Sequence, residues 1–499
     1  MILVTAAEMR ALDDHAIRTI GIPGAALMES AGRSVAEVVT KLGAHRIAVV
    51  AGSGNNGGDG CVCARYLHQR GTDVVLLLAV ERGQFRGDAA LHLTAAERAG
   101  VPICSGMANG SRIDQAELVV DALFGTGLSR PVEGELAAWI DRINRAPGIR
   151  VAVDLPSGLH ADRGIPLGAC VQADHTITFA FAKLGLVTAP GFHYAGQLHV
   201  ADIGIAPPQL PRRHLLDDGC LEPLRAPRTV LAHKGTFGHA LLVAGSRGRS
   251  GAAWLAGEAC ARAGAGLVTV ATSIETQSAL MAHLVEVMTA SLGAEPIDPV
   301  TAWTALAALC QGKRAIAFGP GLGTGDAMRQ LMHRLLEIWK GPLVCDADGL
   351  TLLASDLAPL DRTSARVVLT PHPGEMARLC GTSVEEIEQD RVGYAEAFAA
   401  KHACVVVLKG ARTVIAAPDR TAISPAGNPG MASGGTGDAL TGIVAALLAQ
   451  GWEPFAAATM GVYWHGRAGD LAAKQLGERG LLARDLIAAL PRVATAGGA

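Results

Sequence analysis

Short runs rich in β-branched and apolar residues recur along this chain, and several of them stop on glycine or aspartate. In the first half they span 46–51, 73–80, 118–123, 150–154, 175–181 and 197–203; in the second, 239–244, 267–271, 314–318, 343–346, 367–370, 405–408 and 413–417. Strands that alternate with helices pair in parallel, because a parallel return needs a crossover segment, and this predicts an α/β fold along the whole chain. Ligands in such sheets sit outside the carboxyl ends of the strands. A chain of 499 residues is too long for one core, since domains average roughly 150 residues. The rhythm lapses between Ala206 and Arg228, where Pro207-Pro208, Pro211-Arg-Arg-His214 and Asp217-Asp218-Gly219 show no periodicity. The expected domains are therefore 1–210 and 229–495, with a linker over 211–228. No repeat relates the halves beyond the shared rhythm.

The chain opens with Thr5-Ala-Ala-Glu8, a capping box that predicts a helix running through Ile17. A second helix is expected over 24–42. After the strand at 46–51, Gly52-Ser-Gly-Asn55-Asn56-Gly-Gly-Asp59-Gly60 reads as a tight glycine turn, with a helix beginning near Cys61. Three strand ends then repeat one chemical theme. Asn56 follows the first strand, Asp121 ends the third ahead of Gly125-Thr-Gly127, and Asp154 ends the fourth in Asp154-Leu-Pro-Ser157-Gly158. If those strands are parallel neighbours, Asn56, Asp121, Asp154 and Ser157 gather in one crevice as hard oxygen donors suited to a cation. Any one of them alone also reads as a helix cap.

Near the far end, Asn428-Pro-Gly-Met-Ala-Ser-Gly-Gly-Thr-Gly-Asp438 leads into the apolar run 443–448. Glycines free of Cβ clashes let backbone N–H groups close around an anion, and a helix after Asp438 would present its positive end to a phosphate. Asp438 reads either as an N-cap or as the base that takes a proton from a substrate hydroxyl. Other polar groups stand at strand ends: Gly245-Ser246, Gly319-Pro-Gly321-Leu-Gly323, Asp346-Ala-Asp348, Thr370-Pro-His372-Pro-Gly-Glu375 and Lys409-Gly410-Ala411-Arg412-Thr413. The prolines beside His372 fix the backbone and with it the direction of the imidazole.

These motifs carry two resemblances. Gly52-Ser-Gly-Asn-Asn-Gly-Gly-Asp-Gly60, Asp121-Ala-Leu-Phe-Gly-Thr-Gly127, Asp154-Leu-Pro-Ser-Gly158 and Lys183-Leu-Gly-Leu resemble the N-terminal YjeF domain, the NAD(P)H-hydrate epimerase, over residues 1–210. The resemblance implies a Rossmann-like doubly wound sheet. It implies that Asn55, Asn56, Gly57, Gly58 and Asp59, with Gly125, Thr126, Gly127, Leu128, Ser129, Arg130 and Pro131, hold the hydrated dinucleotide. Asn56, Asp121 and Ser157 would bind K+, Asp154 would be the acid/base, and Lys183 is a further member or a solvated lysine. The second half, with Gly319-Pro-Gly-Leu-Gly323, Asp346-Ala-Asp348, Thr370-Pro-His-Pro-Gly-Glu375, Lys409-Gly410 and the Asn428 loop, resembles the ribokinase-like C-terminal YjeF domain, the ADP-dependent NAD(P)H-hydrate dehydratase. By that resemblance Lys409, Gly410, Ala411, Arg412, Thr413 and Gly437 hold the nucleotide, and Ala253, Gly321, His372 and Asp438 contact the hydrate, with Asp438 catalytic. ADP as co-substrate and Mg2+ are implied, Glu375 being either an outer-shell ligand or a first-turn glutamate. The alternative is a ribokinase-like small-molecule kinase behind a nucleotide-sensing or scaffold domain.

The net charge of −3 gives no basic face for nucleic acid, so small molecules are the expected partners: NADH and NADPH hydrates and ADP. No signal peptide or membrane span is read in the sequence. The ten cysteines are scattered, with only Cys61 and Cys63 close together, a spacing that matches neither zinc nor redox motifs. A reducing cytoplasm and a homo-oligomer are expected.

Overall fold

The computed structural model describes residues 1–495 apart from Pro208 and Leu210, so the second proline of the pair at 207–208 lies outside the described residues. The chain divides into two compact units, Met1–His214 and Leu215–Ala499.

In the first unit the strands are β1 (Ile2–Val4), β2 (Arg46–Ala51), β3 (Asp73–Leu78), β4 (Ile103–Ser105), β5 (Leu118–Ala122), β6 (Ile149–Val153), β7 (His175–Phe179), β8 (Ala182–Lys183) and β9 (Gln197–Ala201), while β10 (Arg213–Leu215) straddles the boundary in sequence. Seven of them form a sheet in the order β4-β3-β2-β5-β6-β7-β9, parallel throughout. The strand order reverses between β2 and β5, which opens a crevice at their carboxyl ends. Helices Gly24–Lys41, Asn55–Gln69 and Gly87–Arg98 cover one face, burying Val49, Leu76 and Val120. Trp139, Ile140 and Ile143 of helix Gly134–Arg145 cover the other. Each such fully buried side chain contributes about 1.5–3 kcal/mol of hydrophobic stabilisation.

Three local features differ from expectation. The glycine run is not a turn: the helix begins at Asn55, with Gly57, Gly58 and Gly60 inside its first two turns. These glycines serve close approach, since a Cβ on Gly57 would overlap the Gly52 carbonyl oxygen and one on Gly60 would lie 2.6 Å from the Ala122 Cβ. The opening helix does carry its capping box, Thr5 N donating to Glu8 Oε2 at 2.8 Å and Glu8 N to Thr5 Oγ1 at 3.2 Å. It is α-helical only over Ala6–Asp14 and widens into a π-helix over His15–Ile20. The unforeseen β1 pairs in parallel with β8, setting Val4 opposite Lys183.

The second unit contains β11 (His239–Val243), β12 (Leu267–Thr272), β13 (Met288–Ser291), β14 (Ala315–Phe318), β15 (Pro342–Cys345), β16 (Arg366–Leu369), β17 (Val405–Leu408), β18 (Val414–Ala416) and β19 (Thr421–Ile423). They run in the order β13-β12-β11-β14-β15-β16-β17-β18-β19, parallel up to β17 and antiparallel beyond it. The helix Thr436–Ala449 is apolar on all sides because it is buried on all sides, Ile443 through Leu448 lying at 0–1 % exposure. The stretch expected as a linker carries short elements, among them the helix Glu222–Arg225, and Leu221 at 0 % exposure joins the core of this unit. No helix among the described residues is long and apolar enough to cross a membrane.

Candidate active sites

The first site lies at the reversal between β2 and β5. A cavity of about 740 Å³ is lined by Gly54, Asn55, Asn56 and Asp59 from the start of helix Asn55–Gln69, by Gly125 through Arg130 from the loop after β5, by Asp154 after β6, and by Lys183 in β8. Asp154 has a left-handed backbone, φ 63°, rare for a non-glycine residue and a strain of about 1–3 kcal/mol that the surrounding fold must hold. Its Oδ1 accepts from Lys183 Nζ at 2.6 Å and from Thr178 Oγ1 at 3.0 Å. Lys183 is 1 % exposed and also donates to Thr178 Oγ1 and the Phe179 carbonyl, both at 3.1 Å. It is therefore a buried member of the site and not a solvated lysine. Burial, with the Asp154 charge nearby, pushes the Asp59 carboxyl well above the usual carboxylate range.

Behind the cavity, the expected cation donors meet. Ser157 donates through Oγ to Asp121 Oδ1 at 2.6 Å and through its backbone N to Oδ2 at 2.8 Å. Phe124 N donates to Ser157 Oγ at 2.9 Å, and Asn56 Nδ2 donates to the Phe124 carbonyl at 3.0 Å. Asp121 is completely buried, and burial raises its carboxyl to about 6 against those hydrogen bonds. Among the described residues, every hydrogen-bond partner of this carboxylate is a neutral N–H or O–H group. Of the expected substrate residues, Gly57, Gly58 and Pro131 do not line the cavity.

The second site gathers at the carboxyl ends of β15, β16 and β17 and the start of helix Thr436–Ala449. That helix begins two residues earlier than Asp438, so Asp438 is in its first turn and not its N-cap. The N-cap is Gly435, φ 95°, which brings no side chain to the first-turn N–H groups. Thr436 Oγ1 fastens the loop to the Met431 and Ser433 carbonyls at 2.9 Å each, and His465 Nε2 meets the Thr436 carbonyl at 2.9 Å. Lys409 Nζ donates to Asp346 Oδ1 at 2.7 Å and stands 3.8 Å from Glu375 Oε2. Thr441 Oγ1 takes the other Asp346 oxygen at 2.7 Å. Burial, then the Asp346 charge, pushes Asp438 up to about 6, with Lys409 pulling the other way.

His372 caps helix Pro373–Cys380. Its Nδ1 accepts from Gly374 N at 3.0 Å and Glu375 N at 3.3 Å, while Glu375 Oε2 accepts from His372 N at 2.8 Å. Glu375 is thus both a buried first-turn glutamate and a neighbour of Lys409. Gly321, φ 60°, is held by Ser246 Oγ donating to its carbonyl at 2.8 Å, and Ala253 is fully buried in helix Ser250–Arg262. Gly410 and Arg412 both have left-handed backbones, and Thr413 Oγ1 closes the turn on the Gly410 carbonyl at 2.9 Å.

Residues 240–492 match the family model described as NAD(P)H-hydrate dehydratase, and residues 24–185 match the YjeF-related protein N-terminus. The chain is 44 % identical to the bifunctional NAD(P)H-hydrate repair enzyme of Moorella thermoacetica over 512 aligned residues, covering 99 % of this chain and 96 % of that one. The chain belongs to the bifunctional NAD(P)H-hydrate repair enzyme family. Among solved structures, the ADP/ATP-dependent NAD(P)H-hydrate dehydratase of Bacillus subtilis, co-crystallised with ATP and Mg2+, is 37 % identical, covers 55 % of this chain and 95 % of its own, and has a TM-score of 0.49. A hypothetical protein of Streptococcus mutans is 29 % identical, covers 56 % of this chain and 98 % of its own, and has a TM-score of 0.50.

In this member of the repair-enzyme family, sequence reasoning missed two groups that the fold brings to the sites. Asp13 lines the first cavity, and Thr178 shares Asp154 with Lys183. Asp346, read in the sequence as a polar strand end without a role, takes the ammonium of Lys409. Asp13 carried no signal, since it sits in ordinary helical periodicity without glycine or proline beside it.

Proposed function

We propose that the first unit interconverts the R and S hydrates of NADH and NADPH and that the second dehydrates the S hydrate at the expense of ADP, giving AMP and phosphate. The observation that carries the reading is the second site. A carboxyl raised to about 6 stands in the first turn of a helix whose N–H groups lack a side-chain cap, with Lys409 close by. Asp438 takes the proton of the hydroxyl that hydration added, and that oxygen attacks the terminal phosphoryl group, whose charge the uncapped N–H groups stabilise. Phosphate is then the leaving group: the ring nitrogen lone pair drives its expulsion, and loss of a proton from the adjacent ring carbon to solvent restores the ring double bond of NADH or NADPH. Lys409 through Thr413 and Gly437 hold the nucleotide, while Ala253, Gly321 and His372 position the hydrate. Mg2+ supplies charge neutralisation on the phosphates. Glu375, buried 3.8 Å from Lys409, is the residue that would serve as its outer-shell ligand.

In the first site the dinucleotide lies along Asn55, Asn56, Asp59 and Gly125–Arg130 with its hydrated ring at Asp154, the proposed acid/base. Asn56, Asp121 and Ser157 fit K+. Their donors are hard oxygens, and Asp121 is a fully buried carboxylate whose partners are all neutral, which a monovalent cation beside it would compensate. K+ supplies a fixed positive charge at that end of the cavity. A homo-oligomer is supported by exposed Ile274, Met281 and Val285 beside the edge strand β13, and light scattering in solution tests it. The ten cysteines are free thiols, in keeping with a reducing cytoplasm.

The test is absorbance in the reduced-nicotinamide band after mixing the protein with both hydrates, Mg2+ and either ADP or ATP. Conversion of both isomers, with one nucleotide preferred, is expected. Conversion that stops at the S fraction would make the first unit a sensor, and a stable phosphorylated product without absorbance gain would make the second a small-molecule kinase.

A further inference from the structure

The β1–β8 pairing that sets Val4 opposite Lys183 also delivers the next element, helix Ala6–Asp14, to the first cavity. Met9, Arg10, Asp13 and Ile17 all line it. Asp13 stands at the last turn before the helix widens at His15–Ile20, a distortion that recurs at functional sites. Its neighbour Asp14 points away, paired with Arg18 at 3.5 Å and 61 % exposed. The Asp13 carboxyl has no hydrogen-bond or ion-pair partner among the described residues, although it is partly buried and lines a cavity that also holds Lys183, Asp154 and Asp59. An unpartnered carboxyl in such a place is poorly explained by packing or by helix stability, since either role would give it a donor.

We propose that Asp13 is a second proton-transfer residue of the epimerase site, serving the hydrated ring together with Asp154. The inference rests on the epimerase reading given above and deepens it. Protonated Asp13 donates to the departing hydroxyl: the carbon–oxygen bond breaks with its electron pair on oxygen, water forms, and the ring nitrogen lone pair closes a carbon–nitrogen double bond. Water returns to the other face, the new carbon–oxygen bond restores the nitrogen lone pair, and one proton passes to Asp154 or back to Asp13. No oxidant or reductant is consumed. The division of labour follows from the hydrogen bonds. Asp154 Oδ1 is already engaged by Lys183 and Thr178, so the site gains a carboxyl with no competing donor. Burial pushes Asp13 up to about 6, with Asp154 and Asp14 adding to the rise and Lys183 opposing it, which keeps a protonated fraction near neutral pH.

The experiment uses the full chain, with isolated R hydrate as substrate and S hydrate formation followed chromatographically in the absence of nucleotide. Asp13→Asn is expected to lower kcat about 100-fold with KM within about threefold, while dehydration of S hydrate is unchanged. Asp13→Glu should recover most of the loss and shift the alkaline limb of the pH profile, which in the parent protein falls as Asp13 loses its proton. Asp14→Asn, the exposed neighbour, should match the parent. Asp13→Asn with epimerisation within threefold of the parent, or Asp13→Glu as inactive as Asp13→Asn, overturns the proposal. A parent protein that dehydrates S hydrate but never converts the R form defeats the epimerase reading itself, and this inference falls with it.

Discussion

Both units place a carboxylate and a lysine at the carboxyl ends of a parallel sheet, yet they wire the pair in opposite ways. In the first, Lys183 binds the proposed acid/base directly, 2.6 Å from Asp154. In the second, Lys409 is captured by Asp346 at 2.7 Å, and Asp438 has only the longer-range pull of that ammonium against burial and the Asp346 charge. The arrangement leaves Asp438, the proposed base, with a carboxyl pushed up to about 6, whereas Asp154 is fixed in place by its cation. A lysine beside a carboxylate is thus not one device. Which oxygen it bonds decides whether it anchors the group or merely tempers it.

The comparison breaks most completely at the base. Asp438→Asn should lower ADP-dependent dehydration about 10³-fold and leave R-to-S conversion intact, read by absorbance and chromatography on the same preparation. Loss of both activities would show that the two sites are not independent. Next in size is Lys183→Met, which strands the Asp154 carboxylate without its cation. Removing one partner of a buried pair costs about 3–5 kcal/mol, so the first unit should melt earlier in calorimetry while dehydration persists. A variant as stable as the parent would mean that Asp154 finds another donor.

Smaller effects sharpen the contrast. A base must be ionised to act, so dehydration should be full well above pH 6 and decline as pH falls through about 6, where Asp438 gains its proton. Asp346→Asn removes the charge that raises Asp438 and frees Lys409 to approach it. The acidic limb of the kcat profile should then move to lower pH, with kcat down about tenfold. An unmoved limb would assign it to another group. Least in size, if K+ occupies the proposed site at Asn56, Asp121 and Ser157, replacing it in the buffer by a bulky organic cation should lower the melting temperature of the first unit by a few degrees, as expected for loss of a ligand bound at a modest multiple of its Kd.

The sheets were legible because parallel strands buried on both faces read as continuous apolar runs, and because the order of Asn56, Asp121 and Asp154 in sequence becomes adjacency once β2, β5 and β6 lie side by side. What stayed hidden was tertiary. Gly57 looks like a turn residue until the Gly52 carbonyl is seen where its Cβ would be. β1 and β19 are three residues each, too short to show a period. Asp13 gains meaning only when β1 meets β8, and Lys183 is distinguished from a solvated lysine only by the three acceptors it finds in the interior.

The cap on helix Pro373–Cys380 has a consequence for selectivity. With Nδ1 of His372 committed to accepting two backbone N–H groups, the neutral ring must carry its hydrogen on Nε2, and that nitrogen can only give. The imidazole is half exposed, with Nε2 3.5 Å from Glu375 Oε1, so what it offers a visitor beside that carboxylate is a single donor and no acceptor. A carbonyl or phosphoryl oxygen is welcomed there, and an amide or ammonium hydrogen is turned away, by a tautomer that the local backbone chose before any ligand arrived.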